Sequence, residues 1–213
     1  MAEVDIDGNI HNVHVKNTGR CKELLQKGCT VYLTKSDNPQ RKTQYDLICV
    51  EKVNDDLSTT LFNIDSQAPN ELCEEWLKEG NLIEGIIRIK REVKYKNSRF
   101  DFYIETKTEK IFAEVKGVTL DVGGVALFPD APTQRGIKHI NELINARNEG
   151  YSAHIIFVLQ YKGAKEFAPN EKMHPEFANV LRLAKEKGVI ISAVDCRLKA
   201  DEAKIDEFVK VKI

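Results

Sequence analysis

Three polar residues on two consecutive strand-like segments could perform chemistry together. They are Asp101 in the first segment, and Glu114 and Lys116 in the second. Apolar and polar residues alternate along both segments, so Glu114 and Lys116 share one face. If Thr106 to Glu109 form a hairpin turn, Asp101 lies opposite Glu114, with Cβ atoms roughly 5 Å apart. Because like charges so placed are destabilising, the pattern predicts a divalent cation between the two carboxylates.

Phosphodiester hydrolysis is the chemistry that this arrangement fits. Mg²⁺ or Mn²⁺ held by two carboxylates polarises a phosphoryl oxygen and lowers the pKa of a bound water. Lys116 can orient that water or offset charge that builds up in the transition state. An Asp followed on the next strand by Glu-x-Lys is similar to the pattern of the PD-(D/E)xK nuclease superfamily. An amphipathic hairpin with a solvated ladder of ion pairs is the alternative, since E-x-K alone is common.

The segments around this hairpin must position its side chains. Helices are predicted at residues 70–79, with Asn70 as the N-cap, and at 133–149 and 175–187. Further strands are predicted at 86–95, 153–160 and 189–194. In the long helix Asp130 or Thr133 serves as the N-cap, and Gly150 ends the helix. The order is helix, three strands, helix, strand, helix, strand. It indicates an α/β core with a mixed sheet and the carboxylate hairpin near the centre of that sheet.

Residues 1–65 differ in composition from the rest of the chain. Short strand-like runs alternate there with Gly, Asn and Asp turns, at residues 13–15, 30–33, 43–53 and 57–63. This spacing is typical of a small barrel, and OB-folds bind oligonucleotides across one face. The sequence therefore predicts two domains, an OB-like β domain at 1–65 and a nuclease-like α/β domain at 66–213.

Composition limits the classes of protein that fit. The chain has 213 residues, 42% of them hydrophobic, and a net charge of −1. No apolar run reaches the length of a membrane span, so no membrane association is expected. The five cysteines are odd in number and scattered, with no C-x-x-C, which argues against a disulfide framework and a zinc site. Reduced thiols in the cytoplasm are the prediction.

Any affinity for nucleic acid must come from local basic patches, because the net charge is close to zero. Six basic residues crowd the approach to the hairpin: Arg88, Lys90, Arg91, Lys94, Lys96 and Arg99. A solvated charged face is the alternative for this run. Arg41 and Lys42 follow a turn in the N-terminal region. Gln134, Arg135 and Lys138 start the long helix beside the proposed site. With Arg99, these residues are the predicted DNA contacts.

Longer motifs identify a family. The strings that carry the resemblance are KNTGR, SDNPQRKTQYDL, REVKYKNSRFDF, AEVKGVTL and FPDAPTQRGIKHINEL. In this order, over nearly the whole chain, they resemble the sugar fermentation stimulation protein A family. The resemblance implies a DNA-binding protein with an N-terminal OB-like β-barrel domain. It also implies a restriction-endonuclease-like mixed sheet flanked by helices in the C-terminal domain.

The resemblance places the metal site on the same Asp, Glu and Lys. It offers Glu92 as an extra carboxylate, with an ion-paired surface residue as the alternative. Gln134 stands where relatives commonly have an acidic residue, and a glutamine can still orient a water or contact the scissile phosphate. One more barrel strand is expected before residue 1, so an unpaired edge is predicted. His139 and His154 are expected to be polar or core residues, not ligands.

Two functions of different classes follow. The first is a divalent-metal-dependent nuclease that hydrolyses DNA with little sequence preference. The second is a non-catalytic DNA-binding regulator of sugar (maltose) metabolism on the same scaffold. An enzyme acting on another phosphorylated substrate is a third. A homodimer stays open, since nucleases that cut both strands often work as dimers.

Overall fold

Two sheets contain most of the chain. The computed structural model describes residues 1–17, 19 and 21–213. The N-terminal sheet has five strands: β1 (Ala2–Ile6), β2 (Asn9–Val15), β3 (Val31–Lys35), β4 (Tyr45–Val53) and β5 (Thr59–Asn63). Their order is β1-β2-β4-β3, and β5 pairs with β4. Within the described residues no hydrogen-bonded ladder joins β1 to β3, so the sheet is not a closed barrel, in line with the unpaired edge that the sequence predicts.

The remainder of the chain forms a nine-stranded mixed sheet with helices on both faces. Its strands are β6 (Arg88–Tyr95), β7 (Ser98–Glu105), β8 (Lys110–Val118), β9 (Leu120–Val122), β10 (Val125–Phe128), β11 (Ser152–Leu159), β12 (Glu166–Pro169), β13 (Ile190–Leu198) and β14 (Ala203–Val211). The helices are α1 (Ala68–Lys78), α2 (Gln134–Asn148) and α3 (Pro175–Glu186). The predicted mixed α/β fold is confirmed. None of the helices among the described residues is long and apolar enough to cross a membrane.

The carboxylate hairpin lies toward one edge of this sheet. The strand order is β6-β7-β8-β11-β13-β14-β12-β10-β9, so β7 and β8 are second and third from the edge. The predicted position near the centre is wrong because four unpredicted strands, β9, β10, β12 and β14, extend the opposite side. Of these, β9 and β10 have three and four residues and β12 has four, too few to show a period of two.

Two apolar clusters pack on the two faces of the large sheet. The run along β11 is buried throughout, as predicted, and its alternate residues point to opposite faces. Phe157 belongs to the cluster that includes Ile140 of α2 and Phe177 of α3. Ile156 belongs to the cluster that includes Trp76 of α1. Fully burying such a side chain contributes roughly 1.5–3 kcal/mol, which fixes α1 and α2 on opposite faces.

The starts of α1 and α2 have different caps. Thr133 caps α2, because its side chain accepts a hydrogen bond from the Gly136 N–H at 3.0 Å. This confirms one of the two predicted caps. Helix α1 begins two residues before its predicted start, with Gln67 as N-cap and Pro69 in the first turn. Asn70 is therefore free of the capping role, and its side chain serves the candidate site described below.

The two sheets are joined through a shared core and a polar contact. Phe62 of β5 stacks on Tyr161, which follows β11, with ring centroids 4.4 Å apart. Gln160 donates from Nε2 to Asn63 Oδ1 at 3.2 Å and to the Asp65 carbonyl at 2.9 Å. One apolar cluster includes residues of both sheets. The N-terminal sheet is thus packed against the large sheet at the C-terminal end of β11.

Candidate active site

The predicted hairpin forms in the predicted register. Glu105 pairs with Lys110, and the Thr106 N–H donates to the Glu109 carbonyl across the turn at 3.0 Å. The ladder between β7 and β8 ends at the pair formed by Phe102 and Ala113. Asp101 is therefore the first residue of β7 beyond the ladder, where a regular pair with Glu114 was expected.

Asp101 occupies a break in the sheet. The ladder between β6 and β7 also omits Asp101 and the facing Glu92, whose φ is 55°. Phe100 and Phe102, on either side of the break, belong to different apolar clusters, so the predicted alternation is interrupted here. The Asp101 carboxylate fills the gap by accepting a hydrogen bond from the Val115 N–H at 2.7 Å. The break thus holds this side chain against β8.

Glu114 is almost completely buried, with 2% of its surface exposed. Its Oε1 atom accepts hydrogen bonds from Lys116 Nζ and from His139 Nδ1. Its Oε2 atom is buried and has no hydrogen-bond partner within the described part of the chain. A buried carboxylate oxygen without a protein partner is costly, so Oε2 is the atom of this side chain that would gain most from binding a cation or a hydrogen-bond donor.

The two carboxylates influence each other's pKa. Burial, and next the charge of Glu114, raise the pKa of Asp101 to about 6, against the opposing effects of Lys116, the Val115 N–H and Asn70. Burial also acts to raise the pKa of Glu114, but the Lys116 charge and the His139 hydrogen bond outweigh it, so the net shift is downward. The site therefore carries two negative charges near neutral pH, only partly balanced by one lysine.

His139, which the sequence predicts to be a polar or core residue and not a ligand, is part of the site. Arg135 donates from Nε to His139 Nε2 at 3.5 Å, at the long end of hydrogen bonding. If Nε2 accepts, the proton lies on Nδ1, which then donates to Glu114. The signal in the sequence was the spacing of four between Arg135 and His139, which puts them on one helix face.

Asn70 is the second site residue that sequence reasoning missed. From the first turn of α1, its Nδ2 donates to Asp101 Oδ1 at 3.1 Å. Helices α1 and α2 thus reach the carboxylates from opposite faces of the sheet, one through Asn70 and the other through His139. The sequence held no signal for Asn70 beyond its position near a helix start, where capping was the simpler interpretation.

Glu92 does not join the two buried carboxylates. It is exposed on the edge strand β6, and its carboxylate lies 3.4 Å from Arg99 Nη1. Within the described ranges, no group of three or more His, Cys, Asp or Glu side chains is arranged to hold a metal ion. The predicted set of three carboxylates is therefore not assembled. Asp101 and Glu114 remain the acidic pair, and water or substrate oxygens would have to complete any coordination shell.

The predicted DNA contacts at the start of α2 lie at the surface beside the acidic pair. Gln134 and Arg135 are exposed, and Gln134 Nε2 is 3.4 Å from Glu176 Oε2. Lys138 is exposed and donates from Nζ to the Asn97 carbonyl, in the turn between β6 and β7, at 2.6 Å. These side chains together with Arg99 form a basic surface around the buried site.

The two predicted contacts in the N-terminal domain have different environments. Arg41 makes a bidentate ion pair with Asp46, with N–O distances of 2.8 and 2.5 Å. This pair, together with a hydrogen bond from His14, lowers the pKa of Asp46 to about 2, with the Arg41 hydrogen bond as the largest cause. Lys42 is exposed. The charge of Arg41 is thus already committed within the fold, whereas Lys42 projects to solvent.

Comparison with known proteins identifies relatives along the chain. Residues 67–202 match the family model described as the sugar fermentation stimulation protein RE domain. Residues 1–57 match the SfsA N-terminal OB domain. The sugar fermentation stimulation protein homolog of Ruminiclostridium cellulolyticum is 53% identical over 213 residues, which cover 100% of this chain and 92% of that protein. The homolog from Clostridium beijerinckii is 53% identical over 211 residues, covering 99% and 91%.

One solved structure resembles the whole fold. The structure of Pyrococcus furiosus SfsA in complex with Ca²⁺ superimposes with a TM-score of 0.89 at 31% sequence identity. The match covers 99% of this chain and 90% of that chain. The arrangement of the two sheets is therefore shared between these proteins.

Proposed function

The chain belongs to the sugar fermentation stimulation protein family, and from that premise we propose that it is a divalent-metal-dependent nuclease. Its substrate is DNA, and it hydrolyses phosphodiester bonds with little sequence preference. The division into an OB-like domain (1–65) and a catalytic domain (66–213) is part of this proposal. Both domains contribute to DNA binding, and the chemistry belongs to the second.

The unsatisfied buried carboxylate carries the proposal. Glu114 is held rigidly through Oε1, while Oε2 has no partner among the described residues. Asp101 is close enough for its pKa to be raised by the Glu114 charge, which follows burial as the second cause. A structural ion pair would satisfy both oxygens of its buried acid. A site that binds a cation only during its function would leave one free.

The residues present fit Mg²⁺ or Mn²⁺. Such ions take one or two protein carboxylates, with waters and substrate phosphate oxygens at the other positions. When bound, the cation supplies Lewis-acid polarisation of the phosphate and a more acidic water. Asp101 and Glu114 are the proposed ligands. The Ca²⁺ complex of the Pyrococcus furiosus relative supports a divalent cation in this family.

Lys116 and His139 have different proposed roles. Lys116 shares a face with Glu114 and is 17% exposed, so its ammonium group can reach the scissile phosphate and stabilise the charge that develops there. His139 is buried behind Glu114 and cannot touch substrate. It is a positioning residue, because its contact with Oε1 fixes the orientation of the Glu114 carboxylate and leaves Oε2 available to a cation.

The basic surface around the site is the proposed contact for DNA phosphates. Arg99, Arg135 and Lys138 supply its positive charge, and Gln134 supplies a neutral donor. Lys42 is the main proposed contact in the N-terminal domain, and Arg41, whose guanidinium is paired with Asp46, can add only its remaining N–H donors. Each neutralised phosphate releases counterions, so affinity should fall steeply between low and physiological salt. An unchanged affinity over that range would contradict DNA binding through this surface.

A cleavage assay tests the proposal directly. Plasmid and linear DNA are incubated with Mg²⁺ or Mn²⁺ and the wild type, Glu114→Gln or Lys116→Ala. Lys110→Ala, at the exposed start of the same strand, is the matched control. We expect cleavage by the wild type and the control, and its loss in the two site variants. Cleavage that persists unchanged in both site variants would exclude this site.

The alternative is a DNA-binding regulator without chemistry. The family name refers to sugar fermentation, and the described residues offer two clustered carboxylates and no third ligand. Absence of cleavage by any variant, with salt-sensitive DNA binding retained, would favour this alternative. We propose the cytoplasm as the compartment for either function, because all five cysteines are free.

A further inference from the structure

A cavity of about 360 Å³ lies between the N-terminal domain and the large sheet. Asn17, from the N-terminal domain, and Ser66, directly after the proposed domain boundary, line one side of it. Gly117, Phe128 and Gln160 are among the residues that line it from the other side. None of these residues has a role in the proposed metal site. The cavity is therefore a separate feature that needs its own explanation.

The cavity starts one residue beyond Lys116. Its wall includes Gly117, where the backbone passes very close to its neighbours. A Cβ atom at this position would lie 2.5 Å from Gln160 Oε1 and 2.8 Å from Pro69 Cγ. Only glycine allows β8 to run against both neighbours. Gly117 follows Lys116 directly in β8, so the cavity wall includes the strand that carries two of the proposed site residues.

The polar groups of the wall are held in place by hydrogen bonds. Gln160 is 3% exposed, and its Nε2 atom is fixed by Asn63 and Asp65. Asn17 donates from Nδ2 to the Ile64 carbonyl at 2.7 Å and accepts from the Gly19 N–H at 2.5 Å. Such a preformed wall suits a ligand that is read by hydrogen bonds of fixed direction.

The wall chemistry favours an uncharged ligand with hydrogen-bonding edges. The lining groups are mainly amides, hydroxyls, backbone and apolar side chains such as Phe128 and Pro129, together with the carboxylate of Asp130, which would repel a phosphate. Among the described residues that line the cavity there is no lysine or arginine, so a phosphate would lack a cationic partner inside it. A nucleobase combines an apolar face with polar edges and matches this mixture.

The size of the cavity limits the ligand to one unit. Its volume is near the lower end of the range for small-molecule sites, about 300–1,000 Å³. It equals about twelve waters at about 30 Å³ each, enough for one base with its sugar but not for a base pair. A paired duplex cannot enter without extruding a nucleotide.

We propose that the cavity receives the base of one unpaired nucleotide adjacent to the scissile phosphate. The inference deepens the proposed function and rests on it. Single-stranded DNA is the substrate class that follows. In such DNA the base is already unpaired, whereas a duplex must first be opened at that position. The preferred substrates are therefore single strands and unpaired segments within duplexes.

Filling the cavity from both walls tests this inference. Ala131→Leu and Ser66→Leu each add a side chain to a lining position. Ala200→Leu and Ser58→Leu make the same changes at exposed positions outside the cavity lining. Binding of a labelled single-stranded oligonucleotide and of the matching duplex is measured by fluorescence anisotropy in Ca²⁺. Melting temperatures establish that all four variants are folded.

We expect single-strand affinity to fall at least about tenfold in both filling variants, the size of effect expected when one bound base is lost. Duplex affinity should stay the same, and both controls should bind like the wild type. Equal single-strand binding by filled and wild-type protein would overturn the inference. So would a wild type that prefers the duplex. If metal-dependent cleavage fails but the filling variants still lose single-strand binding, the proposed nuclease falls and the base site stands.

Discussion

Two regions of the molecule gather carboxylates around a lysine, with opposite results. At the end of β11, Lys162 Nζ contacts Asp195 at 3.1 Å, Asp206 at 2.9 Å and Glu207 at 2.8 Å. The buried Asp195 also accepts from the Glu207 N–H at 3.0 Å. Burial lowers the pKa of Lys162, but hydrogen bonds to the three carboxylates outweigh it and the net shift is upward. The lysine serves as the cation of this cluster.

The hairpin site also combines carboxylates with a lysine, but its negative charges are not balanced in this way. Lys116 and His139 both contact Oε1 of Glu114, leaving Oε2 without a partner in the described residues. The pKa of Asp101 is raised by burial and by Glu114, so its charge is unfavourable in the fold. The comparison teaches that the number of acids does not identify a functional site. Buried charged groups whose charges are incompletely balanced do identify such a site.

The largest expected effect is a difference in DNA cleavage between a variant of the hairpin site and a variant of the Lys162 cluster. Glu114→Gln should reduce DNA cleavage at least about 100-fold, the loss typical when a preorganised charge at a reaction centre is removed. Asp195→Asn, the equivalent change in the Lys162 cluster, should leave cleavage within about twofold. Initial rates on linear DNA at saturating Mn²⁺ measure both. Equal losses in the two variants would remove the distinction drawn here.

The next effect is on stability in the absence of metal. Burial raises the pKa of Asp101 in the folded protein to about 6, above its ordinary value of 3.8. Between these values the folded state binds more protons, so stability is lost as pH rises through this window. Asn carries no charge, and its carbonyl oxygen can still accept from the Val115 N–H. Asp101→Asn should therefore raise the free energy of unfolding. The increase should be about 2 kcal/mol larger at pH 7.5 than at pH 4.5.

Urea denaturation at the two pH values measures this gain. Asp195→Asn is the matched variant in the balanced cluster. It should lose about 1 kcal/mol at pH 7.5, because Lys162 loses one charged partner. A hairpin variant that is less stable than the wild type at pH 7.5 would show that the Asp101 charge is well compensated.

A smaller effect is expected at the positioning residue. His139→Ala should weaken Mn²⁺ binding by about 10- to 100-fold, because Glu114 loses the group that fixes its orientation. His139→Gln should recover part of the affinity, since its amide N–H can donate to the same oxygen. His14→Ala, at a half-exposed histidine of the N-terminal sheet, is the control. Calorimetric titration with Mn²⁺ gives the affinities, and equal values for all three variants would assign His139 a purely structural role.

The smallest expected effect is the change with pH in Mn²⁺ affinity and in the stabilisation of the protein by Mn²⁺. At pH 5 about nine-tenths of Asp101 is protonated if its pKa is about 6. Apparent Mn²⁺ affinity should therefore be about tenfold weaker at pH 5 than at pH 7.5, and the rise in melting temperature correspondingly smaller. Asp101→Asn should show little rise at either pH. A full rise in that variant would place the metal elsewhere.

The sequence was sufficient for the parts of the fold that are local and periodic. The hairpin register, the Thr133 cap of α2 and the buried run of β11 all follow from alternation, capping and apolar length. Strands β9, β10 and β12 were missed because three or four residues carry too little pattern, and the hairpin was therefore placed too near the centre of the sheet.

The site was predictable in its pattern but not in its supporting residues. Asp101, Glu114 and Lys116 stand out by residue type and spacing. The break in the ladder at Asp101 depends on Glu92 adopting a positive φ, which no local residue preference indicated. Asn70 and His139 approach from helices 31 and 25 residues away from the carboxylates that they contact. Such contacts depend on tertiary packing, which periodicity does not report.

A crystal structure with Mn²⁺, located by its anomalous scattering, would show whether Asp101 and Glu114 hold the cation. We expect one ion about 2.1 Å from Glu114 Oε2 and within coordinating distance of Asp101, with no ion at the Lys162 cluster. Density beside Asp195, Asp206 and Glu207, with the hairpin site empty, would contradict this expectation.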